Sequence, residues 1–157
     1  MAPSGGGKTT LLNLINRTVH MDEGTIEGVP SRIGMVFQEN RLCEEYDIIT
    51  NVMLTMRSTQ EAVAQISDEA RQILPEECLV RPVSELSGGM KRRCVVLRAM
   101  LSGAEFIIMD EPFTGLDEEN RKRTAEYILQ RLGGRTLLVT THRMEDVELL
   151  GAVKIEI

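Results

Sequence analysis

Apolar residues recur along this chain in two alternating rhythms. Leu11, Leu12, Leu14 and Ile15 form one face of a helix expected from about Lys8 to Asn16, and the turn Asp22-Glu23-Gly24 closes that passage. Thr25 to Val29 and Arg32 to Phe37 flank Pro30-Ser31 and read as two short strands around a tight connection, with Gln38 ending the second. From Ile48 to Leu74 the spacing turns helical, first through Val52, Leu54 and Met56, then through Ala62, Val63, Ile66, Ala70, Ile73 and Leu74, until Pro75 stops it. Ser87 is placed to cap a helix whose body runs from Cys94 to Leu101 and ends at Gly103. Phe106 to Met109 is an unbroken apolar run, as a strand buried on both faces requires. Glu118 to Leu132 predicts a charged helix closed by Gly133-Gly134, and Thr136 to Thr140 the next buried strand. The tail Val153 to Ile157 alternates and is expected as a last edge strand. Strands alternating with helices predict an α/β fold, a mostly parallel sheet flanked by helices and joined by right-handed crossovers.

The stretch at the front of the first helix carries the chemistry. Ala2-Pro3-Ser4-Gly5-Gly6-Gly7-Lys8-Thr9-Thr10 is a glycine loop followed by a lysine and two hydroxyls. Backbone N–H groups of Gly5, Gly6 and Gly7 can cradle phosphates, the Lys8 ammonium can reach the terminal phosphates, and the Thr9 hydroxyl can ligate Mg²⁺. Ser4 and Thr10 complete this nucleotide-binding run, and the helix behind it aims its positive end at the same phosphates. Asp110 follows the buried run Phe106 to Met109, at a strand end where it can hold the Mg²⁺ shell, and Glu111 beside it can polarise water. The expected ligands are a nucleoside triphosphate and Mg²⁺, the nucleotide being ATP on the resemblance given below.

Composition narrows the setting. The 157 residues suit one domain, and the 42% apolar and 27% charged content is that of an ordinary globular chain. A net charge of −6 with no long basic run speaks against nucleic acid; the densest cluster, Lys91-Arg92-Arg93, belongs to another motif. No apolar run approaches a membrane span, and the N-terminus passes directly into the glycine loop, so a soluble, cytoplasmic chain is expected. Cys43, Cys78 and Cys94 lack metal or disulfide spacing and read as reduced thiols, and His20 as a surface residue.

With these motifs in order, the chain resembles the ATP-binding cassette family, the nucleotide-binding subunits of ABC transporters, over essentially its whole length. Leu86-Ser87-Gly88-Gly89-Met90 is similar to the family signature, Gln38 to the glutamine of the Q-loop, Gly115-Leu116-Asp117 to the D-loop, and His142 to the switch histidine. The resemblance implies a P-loop NTPase fold over 1–157, with a helical lobe at 39–102 that includes the signature. It also implies that two cassettes pair head to tail, so that Ser87, Gly88, Gly89 and Asp117 of one meet the nucleotide on the other. Glu111 would then activate water, His142 would hold the γ-phosphate and the water, and Gln38 would sense the metal and water while its loop faces a transmembrane permease subunit at the inner face of the membrane. Phe37 to Leu42 is similar to the Q-loop of ATPases serving importers of the nitrate, sulfonate and taurine type. Ala2 stands where the family has glycine and Met90 where it has glutamine, and with Met1 directly before the loop the usual N-terminal strands and adenine-stacking aromatic are expected to be lacking. Two consequences are expected: an open sheet edge that Val153 to Ile157 could fill, and low turnover. An alternative reading is therefore a nucleotide-binding or interaction module with little turnover; a third is a soluble ABC protein acting on ribosomes or DNA.

Overall fold

The computed structural model describes residues 7–56 and 60–156. Three strands form a parallel sheet in the order β1 (Ile33–Val36), β2 (Phe106–Asp110), β3 (Thr136–Thr140), with Val36 opposite Met109 and Asp110 opposite Thr140. Parallel neighbours need long crossovers. Helices supply them: α1 (Lys8–Ile15), α2 (Ile48–Met53), α3 (Gln60–Ile73) and α4 (Gly88–Leu101) precede β2, α5 (Glu118–Leu132) joins β2 to β3, and α6 (Met144–Leu149) follows.

Side-chain alternation on β2 divides the sheet into two faces. Ile107 and Met109 belong to a continuous core with Val36, the α4 residues Cys94 to Leu97, Ala99 and Met100, the apolar faces of α2 and α3, and Ala125 and Ile128 of α5. Leu12 and Ile108 are also buried but lie outside that cluster, on the face that carries Asp110 and α1. At about 25 cal/mol per Å², each fully buried Leu, Ile or Val contributes roughly 1.5–3 kcal/mol, so the Ile107-Ile108-Met109 run stabilises both faces at once.

The caps expected from sequence form as read. Ser87 Oγ accepts from the Met90 amide at 3.3 Å at the head of α4, and Gly133, left-handed at φ +57°, ends α5. Asn51, fully buried in α2, pins the loop before it by accepting from the Cys43 amide at 2.8 Å and donating to the Cys43 and Asp47 carbonyls at 3.0 and 2.9 Å.

Two expected strands are absent. Thr25 to Val29 forms no ladder with any described strand and is largely exposed; Gly28 at φ +74° breaks its extension. Val153 to Glu156 also forms no ladder, and Val153 is 91% exposed, so the described tail does not extend the sheet. Both segments alternate in sequence, but alternation supplies half of a strand and a hydrogen-bonding neighbour the other half. Beside β3 runs an apolar groove of about 610 Å³ lined by Leu11, Leu12, Ile15, Leu138 and Leu150 among others.

Candidate nucleotide site at the strand ends

Ser4, Gly5 and Gly6 lie outside the described residues. Gly7, at φ +78°, stands at the head of α1, whose first-turn N–H groups point toward the N-terminal end of the helix axis. Thr9, in the first turn, donates from Oγ1 to Asp110 Oδ2 at 2.8 Å. The other carboxylate oxygen accepts from Thr140 Oγ1. Asp110 is 3% exposed, so these hydroxyls fix its orientation from α1 on one side and β3 on the other.

This pair fits magnesium. A hydroxyl and a carboxylate oxygen in contact are hard ligands, and Mg²⁺ takes one or two such protein oxygens and completes its octahedron with phosphates and water. No group of three or more His, Cys, Asp and Glu that could cage a metal occurs among the described residues.

Glu111 is the next residue and its backbone is unusual. Its φ is +51°, left-handed for a residue with a side chain. Its amide donates to the Thr140 carbonyl at 3.1 Å, its carbonyl accepts from Arg92 at 2.7 Å, and its carboxylate oxygens lie 3.0 and 3.1 Å from His142 Nδ1. Thr141 donates to Asp146 Oδ2 at 2.5 Å and accepts from the Arg143 amide at 3.1 Å, anchoring the turn that carries His142 onto α6. The His142 side chain is 68% exposed and that of Glu111 19%, so the pair opens to solvent from a buried base. With the Nδ1 proton directed at Glu111, Nε2 is free to accept; protonated, it donates. All four groups, Thr9, Asp110, Glu111 and His142, gather at the carboxyl ends of β2 and β3, where α/β sheets bind ligands.

The signature residues stand elsewhere. Ser87, Gly88, Gly89, Gln38 and Asp117 line a cavity of about 560 Å³ that holds none of Lys8, Thr9, Asp110, Glu111 and His142. A Cβ on Gly89 would lie 3.1 Å from the Gly115 carbonyl oxygen and 3.3 Å from Leu116 Cδ2, so a side chain there would push the 115–116 segment back by a few tenths of an ångström. Asp117 caps α5, accepting from the Asn120 amide at 2.8 Å and the Asn120 side chain at 2.7 Å, and these two bonds hold its carboxyl below the usual range. Gln38 therefore sits with the signature, joined to the Asp110 end of the site through Arg92, whose Nη1 donates to its carbonyl at 3.2 Å. Sequence reading placed Arg92 in a basic cluster and gave it no role. The available signal was spacing: Val95 and Val96, three and four residues on, are buried, so Arg92 shares their face. Burial draws its guanidinium below the ordinary arginine value, an effect that Asp110 and Glu111 oppose.

A parallel sheet of β1, β2 and β3 among the described residues, a glycine-rich sequence ahead of α1, and an acidic pair at the end of β2 define a P-loop NTPase fold. Residues 1–114 match the family model described as ABC transporter, and the chain belongs to that family. It is 36% identical over 166 residues to the Nod factor export ATP-binding protein I of Burkholderia orbicola (strain AU 1054), covering 96% of this chain and 55% of that one. It is 37% identical over 169 residues to the protein of that name from Sinorhizobium fredii (strain NBRC 101917 / NGR234), covering 96% and 48%. The chain thus spans about half the length of the curated relatives it matches. The dimeric structure of MJ0796, a bacterial ABC transporter cassette, superposes with a TM-score of 0.83 at 25% identity, over 95% of this chain and 75% of that one. A second dimeric MJ0796 structure, a post-hydrolysis state bound to ADP and Pi, matches in fold with a TM-score of 0.78 at 24% identity.

Proposed function

We propose that this chain is the ATP-hydrolysing cassette of an ABC transporter. The observation that carries the reading is the convergence of the Thr9–Asp110 and Glu111–His142 pairs beside the α1 N-terminus. In this reading Lys8 and the amides from Ser4 to Thr10 hold the triphosphate, and Thr9 and Asp110 hold the metal with Gln38 at its water shell. Mg²⁺, when bound with ATP, neutralises charge on the transferring phosphoryl group. Glu111 orients the attacking water and takes its proton, and His142, steadied by Glu111, holds the γ-phosphate.

Ser87, Gly88, Gly89 and Asp117 line a cavity that Lys8, Thr9, Asp110, Glu111 and His142 do not line, which supports completion of the site by a second cassette, with those four residues contributed across the interface. The relatives' names refer to export, so the reading prefers export to the importer type that Phe37 to Leu42 resembles. No helix among the described residues is long and apolar enough to cross a membrane. In this reading permease subunits supply the membrane path, with this domain peripheral on the inner face, 39–102 forming its helical lobe.

The test is Glu111→Gln. It is expected to keep ATP affinity within about twofold, to lower turnover by roughly 10²- to 10⁴-fold, and to accumulate an ATP-held dimer visible by light scattering. Unchanged hydrolysis would remove Glu111 as the base. Binding without turnover in the unaltered chain would favour the nucleotide-binding module.

A further inference from the structure

One guanidinium joins the segments that hydrolysis would require to act together. Arg92 lies in the first turns of α4, behind the signature glycines, and is 3% exposed. Its Nη1 donates to the Phe37 carbonyl at 2.6 Å, the Gln38 carbonyl at 3.2 Å and Asn40 Oδ1 at 3.4 Å. Its Nη2 donates to the carbonyl oxygens of Asp110 and, at 2.7 Å, Glu111. All but one of these acceptors are main-chain atoms, so the contact fixes where two strand ends lie, whatever their side chains.

Glu111 is the residue that most needs fixing. Its left-handed backbone is one that L side chains disfavour, and such residues persist when their surroundings over-determine them. Thr140 holds the amide side of Glu111 and Arg92 the carbonyl side, and the carboxylate is thereby directed at His142.

We infer that Arg92 is a positioning residue for hydrolysis: it locks Glu111 in the left-handed conformation that sets the carboxylate beside His142, and it transmits displacement of the Phe37–Asn40 segment to Glu111. This rests on the ATPase reading for its consequence and on geometry alone for the contact. The role needs a planar fork, because the acceptors lie on two different strand ends. A lysine restores the charge and a single donor group but cannot span both.

The full chain, Arg92→Gln, Arg92→Lys, Glu111→Gln and the double variant Arg92→Gln/Glu111→Gln would be compared by amide hydrogen exchange, nucleotide affinity and hydrolysis. In Arg92→Gln the Glu111 amide is expected to exchange about tenfold faster or more, while the β2–β3 ladder and α5 keep their protection. The kcat should fall roughly 10- to 100-fold with KM for Mg-ATP within about twofold. Arg92→Lys should fall almost as far, and the double variant should be no slower than Glu111→Gln alone. An unchanged Glu111 amide, a uniform loss of protection across the sheet, or losses that multiply in the double variant would each overturn the inference. If Arg92→Gln does not fold, Arg92→Lys carries the same comparison. A chain that hydrolyses no ATP defeats the ATPase reading instead, and the exchange pattern still decides whether Arg92 locks Glu111.

Discussion

The left-handed backbone at Glu111 allows stability and catalysis to be separated at one position. Consider Glu111→Ala and Glu111→Gly. Both remove the carboxylate and its contact with His142, so their difference reports the backbone. At φ +51° an alanine bears the left-handed cost of about 1–2 kcal/mol, which glycine avoids. Glycine in turn loses roughly 0.5–1 kcal/mol more conformational freedom on folding. The glycine variant should therefore be the more stable by about 0.5–1 kcal/mol, a shift of roughly 2–4 °C per kcal/mol in a chain of this size. The contact that both give up lies beside an imidazole 68% exposed and is worth at most about 1 kcal/mol, so Glu111→Gly should be close to neutral against the unaltered protein. Turnover should nevertheless fall roughly 10²- to 10⁴-fold in both. Urea unfolding followed by circular dichroism, with unchanged m-values, measures the stabilities. Glu126, exposed in the middle of α5, supplies the control: there alanine should exceed glycine by about 1 kcal/mol, the opposite sign. If alanine equals or exceeds glycine at 111 as it does at 126, position 111 is not left-handed in solution and the strain argument fails.

Four further outcomes are expected. Asp110→Asn keeps the shape that Thr9 and Thr140 grip but loses the charge, so titration calorimetry should show ATP affinity unchanged in chelator and weakened about tenfold or more with Mg²⁺; equal loss in both would make Asp110 a structural residue only. Lys8→Ala should weaken ATP binding by about tenfold or more, and unaltered affinity would remove Lys8 from the phosphate site. Cys43 is exposed while burial pushes the Cys94 thiol from 9.0 up to about 12, so iodoacetamide at mild alkaline pH should modify Cys43 in the native protein and Cys94 only on unfolding. Because the folded state holds the Cys94 proton more tightly than the unfolded one, its contribution to stability is complete below pH 9 and declines as pH rises toward 12, a slope that Cys94→Val should flatten.

What could be read from sequence is what depends on neighbours along the chain. The caps Ser87 and Gly133 satisfy helix ends a few residues away, and the apolar run before Asp110 states its own burial; Thr136 to Thr140, expected to be buried in the same way, is exposed at Thr136 and only half-buried from Leu137 to Val139, because burial of both faces needs a neighbour that the run itself does not name. Thr25 to Val29 and the described tail Val153 to Glu156 form no strands, because pairing is decided by a partner that alternation does not name. The same division runs through the site. Lys8, Thr9, Asp110, Glu111 and His142 were identifiable by residue type and place, but the contact between Glu111 and His142 spans 31 residues and depends on β2 and β3 ending in register.

Arg92 is the sharper case, since in sequence it is one of three consecutive cations and suggests a solvated surface. Its burial follows from the sheet itself. Parallel strands that stop together leave carbonyl groups at their carboxyl ends without a ladder donor, and at the ends of β1 and β2 these belong to Phe37, Gln38, Asp110 and Glu111. Leaving each unmet in a buried site would cost about 1–3 kcal/mol. The Nη1 and Nη2 groups of one planar guanidinium meet them together while its buried Nε has no partner, and the desolvation of its charge is offset by acceptors from two strands and by the nearby carboxylates of Asp110 and Glu111. The same economy makes the arrangement consequential: a side chain that satisfies the Q-loop and the acidic pair at once cannot release one without disturbing the other.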